Sequence, residues 1–247
     1  MRSIDFGEQF VLNELNCRQN SSDGVISCLE SISSGMDNDR ELSAILYINQ
    51  QQYNKAIQEL NIVLADNSTT ATDRYHYLRA KALVGLGRYH TALLDLARAV
   101  WLNPYSATYL QLQAYSFRKL RNLDEASFSL DKAVRLEPRN SRLYRDKGII
   151  LYKLGKMDES VEQLASAVEL DGTQHSAYFY VSLAYFELGR YQQALECVDK
   201  AIAISTKLSN NGQVDPDYLT RRSIILSKLV NKEEAKRAQT QAERLLL

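Results

Sequence analysis

The side chains of this 247-residue chain with the widest chemical repertoire are three histidines, His76, His90 and His175, and three cysteines, Cys17, Cys28 and Cys197. Their spacing assembles nothing reactive. No HExxH, no paired Cys/His zinc spacing, no GxSxG and no phosphate-binding glycine loop occurs, so the chain is expected not to be an enzyme and to need no metal or cofactor. Each histidine is read as filling a structural position, and Cys197, beside Val198, as a buried inert thiol. An odd cysteine count without a CxxC pair argues against a disulfide framework and for a reducing compartment. A different chemistry does recur along the chain. Cations and rings alternate in four clusters: Arg74, Tyr77 and Lys81; Tyr115, Arg118 and Lys119; Arg142, Arg145, Tyr152 and Lys153; Phe179 and Tyr180. Guanidinium and ammonium groups hold carboxylates through charge-assisted hydrogen bonds, and aromatic faces anchor apolar side chains.

Such side chains act together only if the backbone repeats, and it does. The segments QYNKAI, RYHTAL, NLDEAS, KMDESV, RYQQAL and NKEEAK place a small residue at Ala56, Ala92, Ala126, Ser160, Ala194 and Ala235, at spacings of 36, 34, 34, 34 and 41. A second small column runs Ala44, Ala80, Ala114, Gly148, Ser182 and Ser223. Three residues later stands a large one: Tyr47, Leu83, Phe117, Leu151, Tyr185 and Leu226. Gly87, Gly155 and Gly189 follow as helix-ending turns. A second helix then carries Leu60, Leu96, Leu130, Leu164 and Val198, with Val63, Ala99, Ala133, Ala167 and Ala201 three positions on. Pro104 and Pro138 close two units. Each unit is therefore a helical hairpin, small where backbones approach and large where neighbours leave a gap. With 45% apolar residues, 10 Gly, 3 Pro and no apolar run of membrane-spanning length, a β-sandwich, a membrane protein and a disordered chain are all disfavoured.

The period and its small, large, small and proline columns resemble the tetratricopeptide repeat family over residues 37–247. The resemblance implies an all-α, right-handed superhelical solenoid of antiparallel helix hairpins. Its units are 37–72, 73–106, 107–140, 141–174, 175–208 and 216–247, with a loop insertion at 209–215 and two extra residues within 66–72. Residues 1–36 are expected to form an N-terminal helical cap, a degenerate hairpin in which Phe6, Phe10, Val11 and Leu15 recur at helical spacing, with the alternative that this acidic segment reaches into the basic groove as an internal competitor. Arg40 and His76 replace a large side chain at the start of the first helix in two copies, which predicts looser packing there.

In the family the first helix of each hairpin lines the concave surface, which would turn the twelve cationic and aromatic residues named above into one groove. The implied function is a protein–protein interaction adaptor or scaffold that binds an extended acidic peptide or protein segment, with co-chaperone or assembly-factor work among its settings. The two-carboxylate clamp of the chaperone-binding members is missing, since its positions read Glu41, Ile45, Leu78, Thr108 and Leu112, or Tyr77, Lys81, Leu112, Arg142 and Asp146. The Asn ladder of the O-GlcNAc transferase repeats is missing too. Alternatives are a helical repeat that binds single-stranded RNA, and a structural subunit of a larger complex that uses its convex face. Thirty basic and thirty acidic residues cancel, which counts against a general nucleic-acid or membrane partner. The balance is uneven: residues 1–72 carry 4 Lys/Arg against 10 Asp/Glu, and 73–247 carry 26 against 20. The chain is further expected to lack a small-molecule substrate, to be cytoplasmic or nuclear, and to be a monomer with a weakly self-associating patch at Leu226, Leu245 and Leu246.

Overall fold

The computed structural model describes residues 36–65, 72–209 and 215–245. The cap read into residues 1–36, apart from Met36, the insertions at 66–71 and 210–214, and the side chains of the terminal leucines lie outside these residues. Among the described residues all regular structure is helical. Eleven helices follow one another: α1 (Met36–Asn49), α2 (Tyr53–Ala65), α3 (Thr72–Gly85), α4 (Tyr89–Leu102), α5 (Ala107–Lys119), α6 (Leu123–Leu136), α7 (Ser141–Lys153), α8 (Met157–Leu170), α9 (His175–Glu187), α10 (Tyr191–Leu208) and α11 (Pro216–Leu245). The chain divides between Leu136 and Glu137 into two compact units. In the first, α1 to α6 pack as three successive hairpins; in the second, α7 to α10 pack as two and α11 lies against α10.

The columns legible in the sequence are the buried seams of these hairpins. Ala56, Ala92, Ala126, Ser160 and Ala194 are all fully buried. So are Leu60, Leu96, Leu130, Leu164 and Val198, each worth roughly 2 kcal/mol of apolar transfer when withdrawn from water. Small residues are required because backbone meets backbone here. A Cβ added at Gly148 would come within 2.5 Å of Leu164 and 3.2 Å of the Ser160 carbonyl, while the Ser160 hydroxyl donates to the Gly148 carbonyl at 2.8 Å.

The turns share one device. The amides of Gln52, Arg88, Asn122, Lys156 and Arg190 each donate to the carbonyl of the large-column residue five positions back, Tyr47, Leu83, Phe117, Leu151 and Tyr185, at 2.8–3.0 Å. This closure needs a left-handed residue just before the donor. Gly87, Gly155 and Gly189 supply it with φ of 74°, 79° and 71°, and Gln51 and Arg121 do so with φ of 59° and 66° despite carrying side chains.

In the sixth copy the corresponding position is Val230. A β-branched residue is strongly disfavoured at positive φ, and the turn expected near Asn231 and Lys232 is absent. Instead α11 runs unbroken for 30 residues. The hairpin read into 216–247 is thus a single long helix over its described span. Ser223, in a column buried in every earlier copy, is accordingly exposed.

A second correction concerns the first two hairpins. Arg40 and His76 do not loosen them, because each reaches a carboxylate nineteen residues on, across its own hairpin: Arg40 to Glu59 at 2.8 Å and His76 to Asp95 at 2.9 Å. A carboxylate only accepts, so His76 Nδ1 carries the proton. The buried Asp95 also takes Arg79 Nε at 2.8 Å and Arg79 Nη2 at 2.6 Å, and Arg79 Nη1 donates to Asn61 at 2.8 Å. An ionic cross-link here replaces an apolar one.

Candidate functional site

The first helices of the first unit, α1, α3 and α5, pack side by side and present one continuous face. Arg74 on α3 is ion-paired with Glu41 on α1, which is buried; the contact lies off the hydrogen-bonding direction, so the Glu41 Oε1 atom makes no hydrogen bond. Tyr77 stacks on Tyr109 of α5 at 4.8 Å between ring centroids. The Tyr109 hydroxyl donates to Asp73 at 3.1 Å, and Asn103 donates to the same oxygen at 3.2 Å. Burial, with the Asp73 carboxylate next in weight, pushes the Tyr109 hydroxyl up to about 12, which keeps it a donor. Further along α5, Arg118 and Lys119 both sit over the ring of Tyr115, at 5.0 and 5.5 Å from its centroid, and Tyr89 meets the same ring edge-on at 6.4 Å. Two cations on one half-buried ring form the densest cationic spot of this face. Lys81, one turn before Gly85, is half-buried on α3.

The second unit treats its predicted residues differently. Arg145 turns back onto its neighbour: its Nε and Nη2 donate to Asp146 Oδ1 at 3.0 and 2.9 Å. Arg142, exposed at the start of α7, acts on Asp171 at the end of α8, helping Thr173 to hold that carboxyl below its usual range. Tyr152 meets Tyr180 edge-on at 5.8 Å, and its hydroxyl is raised first by burial, then by Glu187, with Arg221 opposing. Lys153 is exposed. Phe179 and Tyr180, expected to line an open groove, are buried instead. The cause is the environment of α9, which has α7, α8 and α10 around it and is buried residue after residue from Phe179 through Ala184. Phe179 packs on the buried Tyr218 of α11 at 4.5 Å. These two rings are interior packing rather than groove surface.

Three participants escaped the sequence reading. Arg221 of α11 lies over Phe186 at 5.2 Å. Glu41 was read only as a failed clamp position, yet it anchors Arg74. The Tyr218 hydroxyl and His175 Nδ1 share a hydrogen bond at 2.7 Å; burial raises the phenol, so it stays protonated, and burial first, with Asp215 opposing and Arg145 assisting, lowers the His175 imidazole. Cys197 is free, and burial pushes its thiol up to about 11, far from the range of a reactive thiolate. Among the described residues no group of three or more His, Cys, Asp or Glu side chains comes together as a metal ion would require, and no helix is long and apolar enough to cross a membrane.

Successive hairpins closed by a left-handed turn, with rings and cations along their first helices, define a helical-repeat protein. Tetratricopeptide repeat profiles match residues 42–107, 112–175 and 175–207, and the chain belongs to the tetratricopeptide repeat family, which serves in general as a protein–protein interaction scaffold rather than in catalysis. Among solved structures, MamA superposes with a TM-score of 0.62 at 18% identity, over 71% of this chain and 98% of that one. TTC0263, a thermophilic tetratricopeptide repeat protein of Thermus thermophilus, gives 0.56 at 20% identity over 78% and 99%. YrrB, described as a tetratricopeptide repeat protein with an unusual peptide-binding site, gives 0.59 at 20% over 74% and 93%. At these identities the likeness is one of fold. No curated protein matches the sequence.

Proposed function

We propose that the chain is an interaction adaptor whose first-helix face in the first unit binds an extended acidic segment of a partner protein. The observation that carries this reading is the pair Arg118 and Lys119 held over Tyr115. Cations already stacked on a ring lose little rotamer freedom when a carboxylate arrives. Tyr77, stacked on Tyr109, and Lys81 extend the same face along α3 and α5. In the second unit Arg142, Arg145, Tyr152 and Lys153 form a separate cationic and aromatic surface. It is the weaker candidate, because Arg145 is engaged with Asp146 and Arg142 acts on Asp171. YrrB, whose description names an unusual peptide-binding site, supports a peptide as the class of ligand, not its sequence.

The test is the affinity of an array of acidic peptides for the wild type and for Arg118→Glu combined with Lys119→Glu. Reversing both charges should weaken the best binders at least tenfold, the loss of one or two charge-assisted contacts of about 1.5–3 kcal/mol each. The melting temperature should hardly move. Unchanged affinity in a folded double variant would remove this face from consideration.

A further inference from the structure

Arginines that are half-buried in this chain find a carboxylate. Arg40, Arg79 and Arg145 donate to Glu59, Asp95 and Asp146. Arg221 of α11 is half-buried too and does not. Its neighbour Arg222 turns to α10 and meets Asp199 at 2.6 Å, whereas Arg221 turns the other way and lies over Phe186 of α9 at 5.2 Å. Among the described residues no acceptor takes its guanidinium. The face of a phenylalanine ring attracts a cation but accepts none of its N–H donors, so the hydrogen-bonding edge of Arg221 is unused by the fold.

What surrounds Arg221 is rigid. Tyr218, one turn earlier on α11, is fully buried against Phe179 at 4.5 Å between ring centroids, and this contact sets Arg221 over Phe186, two turns on from Phe179. Tyr191 meets the Phe186 ring at 5.3 Å. On α7, Tyr152 stands edge-on to the buried Tyr180 at 5.8 Å. Burial keeps its phenol protonated, and beyond burial the hydroxyl feels Glu187 and Arg221. That hydroxyl also has no hydrogen-bond partner among the described residues. Two donors, one of them charged, therefore stand near each other with no acceptor between them. The charges around them are of both signs: Lys153 beside Tyr152, Glu187 at the end of α9, and Asp217 one turn before Arg221. All three are exposed, so water screens them, and neither carboxylate is paired with Arg221.

We propose that Arg221 and Tyr152 form a carboxylate-binding site in the second unit, with the guanidinium seated on Phe186 and the phenol donating beside it. The group it takes is a single carboxylate of a partner's segment, from an Asp or Glu side chain or from a chain end. A planar carboxylate matches a guanidinium edge through two parallel hydrogen bonds. Phosphate, close to a dianion at neutral pH, is opposed by Glu187 and Asp217. The site does not rest on the first-unit reading. One guanidinium and one hydroxyl hold an isolated carboxylate at about millimolar concentration, so this site fills after the first-helix face.

The probes are short alanine peptides: one with a central Glu and both ends blocked, the same peptide with Gln for Glu, and an all-alanine peptide with a blocked N-terminus and a free C-terminal carboxylate. Each is titrated into the full chain and read from the arginine Nε–H and α11 amide signals by NMR. At least one of the two carboxylate peptides should shift the Arg221 signals saturably at about millimolar concentration, and the one that does so names the source of the carboxylate. The Gln peptide should not. Arg221→Gln should abolish the shifts of the α11 amides, and Tyr152→Phe, which keeps the ring against Tyr180, should raise the concentration needed about threefold to tenfold. Arg118→Glu with Lys119→Glu should leave the response at Arg221 intact, so this site and the first-helix face fail separately. No response to either carboxylate peptide by about 10 mM, an equal response to the Gln peptide, or tighter binding of inorganic phosphate would overturn the proposal. So would α11 shifts that persist in Arg221→Gln. If that variant does not fold, Tyr152→Phe decides alone, and unchanged binding in it removes the site.

Discussion

At the scale of single residues, a few buried polar groups tie neighbouring helices together. Asp95 is the clearest. Buried on α4, it accepts from both Arg79 and His76 of α3 and so joins the two helices of the second hairpin. Asp95→Ala should lower unfolding stability by about 2–3 kcal/mol, because it strands a partly buried guanidinium, whereas Asp95→Asn should cost less. Urea midpoints of the two variants check this. His175 makes a second prediction. Its imidazole is hydrogen-bonded to Tyr218, and burial holds its pKa below the ordinary value of about 6.5. The unfolded chain therefore takes up a proton first as pH falls. Stability is full above about pH 7 and declines below about 6.5 until the lowered folded pKa is passed. His175→Gln keeps a hydrogen-bonding partner for Tyr218 but cannot titrate, so its stability profile between these limits should be flatter than that of the wild type. An identical slope in both would assign the pH dependence to other groups.

At the scale of elements, a hairpin needs three things: small seams, a large gap-filler and one left-handed turn. The seams and gap-fillers were readable because residue size repeats at a fixed period. The turns were readable where glycine marks them, at Gly87, Gly155 and Gly189, and hidden where Gln51 and Arg121 adopt the same conformation. The end of the array was misread for the same reason. Ala235 keeps the small-residue column and suggests a sixth second helix, but Val230 occupies the turn and α11 continues through it. Val230→Gly should interrupt α11 near residue 230, seen as loss of helical chemical shifts and faster amide exchange over that turn. A helix that stays continuous in the variant would place the cause outside Val230. The faces were less legible than the frame. Register alone puts Phe179 and Tyr180 beside Tyr152, but only the packing of α9 among its neighbours decides that they are buried. Likewise Arg145 reads as a ligand contact until Asp146, its neighbour in sequence, is seen to hold it. Partner choice within a chain is set by side-chain geometry, which periodicity does not carry.

At the scale of the molecule, charge separates into an acidic front and a basic body, with 10 Asp/Glu against 4 Lys/Arg in residues 1–72 and 26 Lys/Arg against 20 Asp/Glu beyond. Attraction between the basic body and an acidic peptide is partly exposed to solvent and should weaken as salt rises, though by less than the steep decline expected of a ligand that neutralises many phosphates. Family membership establishes a protein-interaction scaffold; the cations over Tyr115 are what point to the ligand's charge and to the face that meets it. The most direct measurement is paramagnetic broadening of backbone amide signals by a spin-labelled acidic peptide that contains proline and cannot form a helix. Broadening centred on Tyr77, Lys81, Tyr115 and Lys119 of α3 and α5, abolished in Arg118→Glu with Lys119→Glu, is the expected result. Broadening confined to the outward residues of α4 and α6, or spread evenly over the chain and unaffected by the double variant, would contradict the assignment of ligand binding to the first-helix face.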